Sequence, residues 1–166
     1  MNKGWVGMNF EIKAIREKEY PFLKDFLYEA IYLPEGIEPP SKSIINEPEL
    51  QLYIEDFGRQ EGDIGVFAEV EEKPVGMAWV RIMEDFGHID KKTPSLAISI
   101  YKEYRGMGIG ERLMVELLRE IKDRGYEKTS LSVQKENYAV KLYQKVGYEI
   151  VEEKDEEYIM VCYLNR

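Results

Sequence analysis

The sequence predicts an α/β (α+β) fold: a mixed, mostly antiparallel sheet of about seven strands flanked by about four helices. Two observations carry that prediction. Segments of strand period and of helix period follow one another as β-α-α-β-β-β-α-β-α-β-β. Hairpin-connected strands also stand on both sides of a βαβ-like middle, the pattern of a mixed sheet covered by helices.

Taken in order, Phe10, Ile12 and Ala14 alternate with Glu11 and Lys13, the period of a half-buried strand. Phe22, Leu23, Phe26, Leu27, Ala30 and Ile31 recur at helical spacing, and Pro34 closes that amphipathic helix. The Pro-rich stretch to Pro40 is an extended, stiff loop. Asn46 as N-cap, Pro48 in the first turn and Glu49 three residues after the cap open a second helix. Its apolar side is Leu50, Tyr53, Ile54 and Phe57. Ile64–Val70 and Val75–Met83 read as a hairpin turning at Glu71–Pro74. Polar residues 84–94 lead into the central strand at Leu96–Ile100. A helix spans Gly110–Arg124 and stops at Gly125 as C′. Thr129, Leu131 and Val133 make a strand, and a last helix runs from Asn137 to its stop at Gly147. Tyr148–Val151 and Tyr158–Leu164 form a closing antiparallel pair. The final strand is expected at an exposed edge, where it could pair with a second copy. Residues 1–8 read as a loose tail and 9–166 as one domain.

A net charge of −9 without a Lys/Arg-dense run argues against nucleic acid as partner and weakly favours a cationic one. The apolar runs are strand-length, so no membrane span is expected. One cysteine, Cys162, excludes an intramolecular disulfide and fits a reducing cytoplasm. With a single histidine, a histidine-rich metal site has little support, and no metal is expected.

The stretch with chemical content is the central strand together with the turn and helix after it. Arg105, Gly106, Met107, Gly108, Ile109 and Gly110 form a glycine turn leading into a helix at Glu111. Glycines admit close backbone approach, and a helix start offers unpaired N–H groups at a positive dipole end, so the loop is an anion cradle. A G-x-G-x-x-G fingerprint fails because Glu111 or Leu113 occupies the last position, and a P-loop fails because Glu111-Arg112 follows Gly110. The pattern R-x-x-G-x-G does fit. Downstream, Asn137-Tyr138-Ala139-Val140-Lys141-Leu142-Tyr143-Gln144-Lys145-Val146-Gly147-Tyr148 reads N-x-A-x-x-L-Y-x-x-x-G-Y. Together these motifs resemble the GNAT superfamily of acetyl-coenzyme A-dependent N-acetyltransferases.

That resemblance implies a pyrophosphate on the amides of Gly106–Glu111, with Arg105 reaching phosphate and Asn137 near the cofactor. It implies a pantetheine arm pairing with the backbone of Ile98, Ser99 and Ile100. A Cβ at Gly108 or Gly110 would crowd the phosphate or forbid positive φ. Tyr143 takes the place of the family's general acid, its phenol protonated at neutral pH. The base stays open: Ser95 stands where many relatives carry an acid, leaving Glu84, Asp85, His88, Asp90 and Glu35 as candidates. Tyr28, Glu35, Tyr53 and Trp79 are expected to line the acceptor pocket, suiting a small-molecule or peptide amine. Direct transfer in a ternary complex is the expected mechanism, in the cytoplasm. A catalytically silent acyl-coenzyme A sensor is the competing class.

Overall fold

The computed structural model describes residues 9–165, so the expected tail at residues 1–8 lies outside the described residues. Seven strands form one sheet: β1 (Glu11–Ala14), β2 (Ile64–Val70), β3 (Lys73–Arg81), β4 (Ser95–Ile100), β5 (Lys128–Gln134), β6 (Tyr148–Glu153) and β7 (Glu157–Tyr163). Their spatial order is β1-β2-β3-β4-β5-β7-β6, antiparallel throughout except for the β4–β5 pair. Four α-helices accompany them: α1 (Leu23–Glu29), α2 (Pro48–Gln51), α3 (Ile109–Asp123) and α4 (Ala139–Val146).

The alternation of β2 and β3 sends side chains to two cores. Ile64, Val66, Ala68, Val70, Ala78 and Val80 join Leu113, Met114, Leu117 and Ile121 of α3 on one face. Phe67, Met77 and Trp79 join Leu23, Phe26 and Leu27 of α1 on the other. Burial on both faces explains why these strands carry apolar residues at nearly every position. Gly125 and Gly147 end α3 and α4 with φ of 92° and 116°, the left-handed stops the sequence implies. The β2–β3 turn is tighter than expected. Glu71 and Glu72 alone make it, at φ 49° and 66°, with Val70 opposite Lys73.

Three expectations are corrected. The second helix is only Pro48–Gln51, with Glu47 rather than Asn46 at its N-cap; Leu52–Gly58 is irregular turn. A 3-10 turn, Glu17–Phe22, precedes α1, where Pro21 cannot donate an i→i−4 bond. The closing strand β7 is not an edge: it lies between β5 and β6, so β1 and β6 are the edges of the sheet. The sequence shows that the last two strands pair but not on which side β5 joins them. Among the described residues, no helix is long and apolar enough to cross a membrane.

Candidate active site

The parallel β4–β5 pair is where the sheet comes apart. Its single register contact is Ser95 with Ser130, at the start of β4. Pro94 O holds that end shut by accepting from Ser130 N at 3.0 Å and from Thr129 Oγ1 at 2.8 Å. Beyond Ser95 the two strands diverge, and a cavity of about 420 Å³ fills the wedge. One wall is Leu96, Ala97 and Ile98 of β4; the other is Leu131 to Gln134 of β5; Asn137 and Tyr143 also line it. In open parallel sheets a crevice at the carboxyl ends of diverging strands is the usual ligand position, and this one parallel pair makes such a crevice within an otherwise antiparallel sheet. A larger depression of about 610 Å³ lies between β1 and the β2–β3 turn. It is lined by Glu11, Lys13, Glu69, Glu71 and Glu72, among others, and carries no glycine-loop or α4 residue.

The glycine loop lies at the N-terminus of α3. Gly108 is its N-cap at φ 84°, without any side-chain cap, so the first-turn amides of α3 are left for an outside acceptor. A Cβ on Gly106 (φ 77°) or Gly108 would meet nothing within 4 Å, so the space in front of the loop is open. Gly110 has a different reason to be glycine. Its Cβ would lie 3.2 Å from both Ile100 Cδ1 and Leu142 Cδ2, so it lets α3 pack against β4 and α4. The unpaired edge of β4, the open turn and the uncapped helix start fit an extended arm ending in a pyrophosphate. Glu111, in that first turn, is paired with Lys145 Nζ at 3.0 Å, which offsets a carboxylate that would otherwise repel phosphate.

Three side chains of the expected cofactor set make bonds within the chain. Arg105 is engaged elsewhere: Nε donates to Ile100 O at 2.9 Å and Nη2 to Glu29 Oε2 at 3.2 Å. Ser99 Oγ donates to Phe26 O at 2.6 Å, fastening α1 to β4, so only its backbone remains for a ligand. Asn137 Oδ1 accepts from Ala139 N, the first residue of α4, at 2.9 Å, while the residue lines the cavity; Tyr138 rather than Asn137 is the N-cap.

Tyr143 is 9% exposed, with its ring centroid 5.9 Å from that of Tyr148. Burial pushes its phenol up to about 12, so it holds its proton throughout the neutral range.

At the other end of the cavity stand Leu27, Ile31, Ile44, Leu50, Tyr53 and Phe86, with Glu47 and Glu49. Of the expected acceptor residues only Tyr53 is there. Trp79 is fully buried in the core, its large ring covered by α1 and the Leu52–Gly58 turn, and its Nε1 donates to Tyr53 O at 2.9 Å. Tyr28 donates to Pro40 O at 2.5 Å, tying the Pro-rich loop back to α1. Glu35 sits on an exposed turn of that loop, away from the cavity.

Among the base candidates, Glu84 is exposed and off the cavity wall. Asp90 accepts from Thr93 Oγ1 at 2.7 Å and Lys92 N at 2.8 Å and lies 3.4 Å from Lys128 Nζ. The Thr93 bond, before the others, holds its carboxyl below the usual range. It braces the closed end of the strand pair. His88 is half-buried, with Nδ1 enclosed and without a hydrogen-bond partner among the described residues. Asp85 alone meets a cavity residue, accepting from Tyr53 Oη at 2.9 Å. The sequence reading missed Glu47, Glu49 and the ion pair of Arg81 with Asp63. An arginine closing an apolar strand was the one available signal for that pair.

A family model described as the Acetyltransferase (GNAT) family matches residues 26–148. A curated relative, the ribosomal protein bS18-alanine N-acetyltransferase of Haemophilus influenzae, is 31% identical over 78 residues, covering 40% of this chain and 53% of the relative. The matched part thus spans about half the length of that protein. Among solved structures, PaiA N-acetyltransferase of Thermoplasma acidophilum, in complex with coenzyme A, superposes with a TM-score of 0.68 at 20% identity, over 94% of this chain and 99% of that one. The ribosomal-protein-S18-alanine N-acetyltransferase of Escherichia coli superposes with a TM-score of 0.64 at 17% identity, over 94% of each chain.

Proposed function

The chain belongs to the GNAT acetyltransferase family, and from that premise we propose that it moves an acetyl group from acetyl-coenzyme A to a primary amine by direct transfer, with both substrates bound at once. The observation that carries the reading is the wedge between β4 and β5, which has the neutral phenol of Tyr143 on its wall. The cofactor supplies an acetyl thioester. The amides of Gly108 to Glu111 hold its pyrophosphate, the free edge of β4 from Leu96 to Ile100 aligns its arm, and Asn137 steadies α4 beside it. Tyr143 donates its proton to the departing sulfur, a role that requires a phenol still protonated at neutral pH.

The acceptor is an amine of a small molecule or a peptide. A peptide amine has the support of the Haemophilus relative, whose name specifies an alanine of a ribosomal protein. The cavity wall adds that the acceptor is not anionic, because it carries Glu47 and Glu49 and neither lysine nor arginine. Thiol release from acetyl-coenzyme A with a panel of alkylamines, diamines and short peptides, with product masses, tests the reading. Tight coenzyme A binding without acetylation of any amine would refute it in favour of a sensor.

A further inference from the structure

We propose that Tyr53 takes an N–H of the acceptor amine and that Asp85, behind it, receives the proton which the amine loses; this rests on the acetyl-transfer reading above. Tyr53 lines the cavity, and its own hydroxyl proton is already committed to Asp85 Oδ2 at 2.9 Å. Its oxygen therefore has only acceptor capacity left, which complements an N–H donor. An amine that donates one N–H there keeps its lone pair free to attack.

The residue is held more firmly than a turn residue needs to be. Trp79 Nε1 donates to Tyr53 O, and Arg81 Nη1 donates on either side of it, to Leu52 O at 3.0 Å and Glu55 O at 2.7 Å. Arg81 is in turn locked to Asp63 by Nε–Oδ1 and Nη2–Oδ2 bonds of 3.0 Å each. Both residues are buried. A buried ion pair is a weak source of net stability but a strong source of position. Here it fixes an irregular segment that no helix would fix.

Asp85 is equally placed. Its loop lies directly on β5: a Cβ on Gly87 would come within 2.9 Å of Leu131 C and Ser132 N, and Ser130 Oγ donates to Gly87 O at 2.7 Å. Asp85 Oδ1 is buried without a hydrogen-bond partner among the described residues, so the carboxylate has idle acceptor capacity. Burial first, and the charge of Asp85 second, push the Tyr53 phenol far up, so it passes a proton on rather than ionising.

The proton balance closes over the full turnover once Asp85 gives up the proton it gains and Tyr143 regains one, both by exchange with solvent as the products leave. The amine nitrogen bonds to the acetyl carbon as the carbon–sulfur bond breaks, and the sulfur takes the proton of Tyr143. The amine's proton goes to Tyr53 Oη while the phenol proton goes to Asp85 Oδ2. Because the nitrogen lone pair is being drawn into an amide, its N–H becomes far more acidic than that of a free ammonium, and a carboxylate suffices. Tyr53 touches the substrate; Asp85 acts through it as a positioning residue and proton sink.

The test compares wild type, Tyr53→Phe, Asp85→Asn and the double variant, with the best acceptor from the amine and peptide panel. Each single variant is expected to lose about 100-fold in kcat, with KM for acetyl-coenzyme A changed by less than about threefold. The double variant should be no slower than the worse single one, because the two act as a unit. Asp85→Glu should recover part of the rate. Calorimetry should show the acceptor binding more weakly to the coenzyme A complex of Tyr53→Phe, a readout independent of turnover. A Tyr53→Phe enzyme within about threefold of wild type in kcat, or losses that multiply in the double variant, would overturn the inference alone. A wild type that binds coenzyme A and acetylates nothing would overturn the acetyl-transfer reading and this inference with it.

Discussion

Replacing Tyr143 by Phe removes a single oxygen and leaves the ring, its packing in α4 and its contact with Tyr148 in place. If Tyr143 is the general acid, kcat should fall by about 10²–10⁴-fold, or about 3–5 kcal/mol of lost transition-state stabilisation. Coenzyme A affinity should barely move, because the first-turn amides of α3 are untouched. The same substitution has a second signature. Burial raises the phenol from 10 to about 12 in the folded chain, a difference of about 3 kcal/mol between protonation states. The folded state thus holds the proton more tightly than the unfolded one. This contribution is fully present below pH 10, where both states are protonated, and is lost as pH rises from there through about 12. Tyr143→Phe should therefore flatten part of the alkaline decline in stability, measured by urea denaturation at pH 8 to 12, while changing stability little at pH 7. A variant with wild-type kcat would remove Tyr143 as the acid. A variant with an unchanged alkaline decline would show that its phenol is not sequestered as the burial implies.

Gly108→Glu should abolish coenzyme A binding by calorimetry, since it forces a side chain into φ 84° and sets a carboxylate before the anion cradle; retained binding would refute the cradle. Arg105→Ala should alter coenzyme A affinity by less than about threefold, because its guanidinium is held by Ile100 O and Glu29 through contacts of a kind worth little at the surface. Arg81→Met should cost about 3–5 kcal/mol in urea denaturation by stranding the charge of buried Asp63, and a loss below about 1 kcal/mol would mean that water reaches Asp63. The Tyr53 and Asp85 variants described above complete the set, with non-additivity as their deciding observation.

Local physics made much of the molecule legible without its coordinates. Period-two and period-3.6 patterns are properties of the backbone, so Ile64–Val70 falls on β2 and the apolar stripe after Gly110 on α3. Gly108, Gly125 and Gly147 each occupy a left-handed conformation, which the sequence marks because few other residues tolerate it. The glycine motif is legible for the same reason: a strand, a glycine turn and a helix start are contiguous in the chain.

What the sequence could not carry depends on residues distant along the chain. The divergence of β4 from β5 follows from hydrogen bonds that stop at Ser95 and Ser130, and no local pattern encodes where a parallel pair ends. Trp79 and Tyr53 looked alike as aromatic candidates, yet one is core and the other cavity wall, because each strand or turn is covered by segments elsewhere in sequence. Asp85 was one of five equal acids and bases until Gly87 laid its loop on β5 and Tyr53 met it at 2.9 Å. Sequence alone thus determined most of the elements and the glycine turn with its helix start, which are built from neighbours in the chain. Only tertiary packing decided the wedge and the residues that line it, because charge, burial and hydrogen-bond partners there come from segments that the chain brings together only on folding.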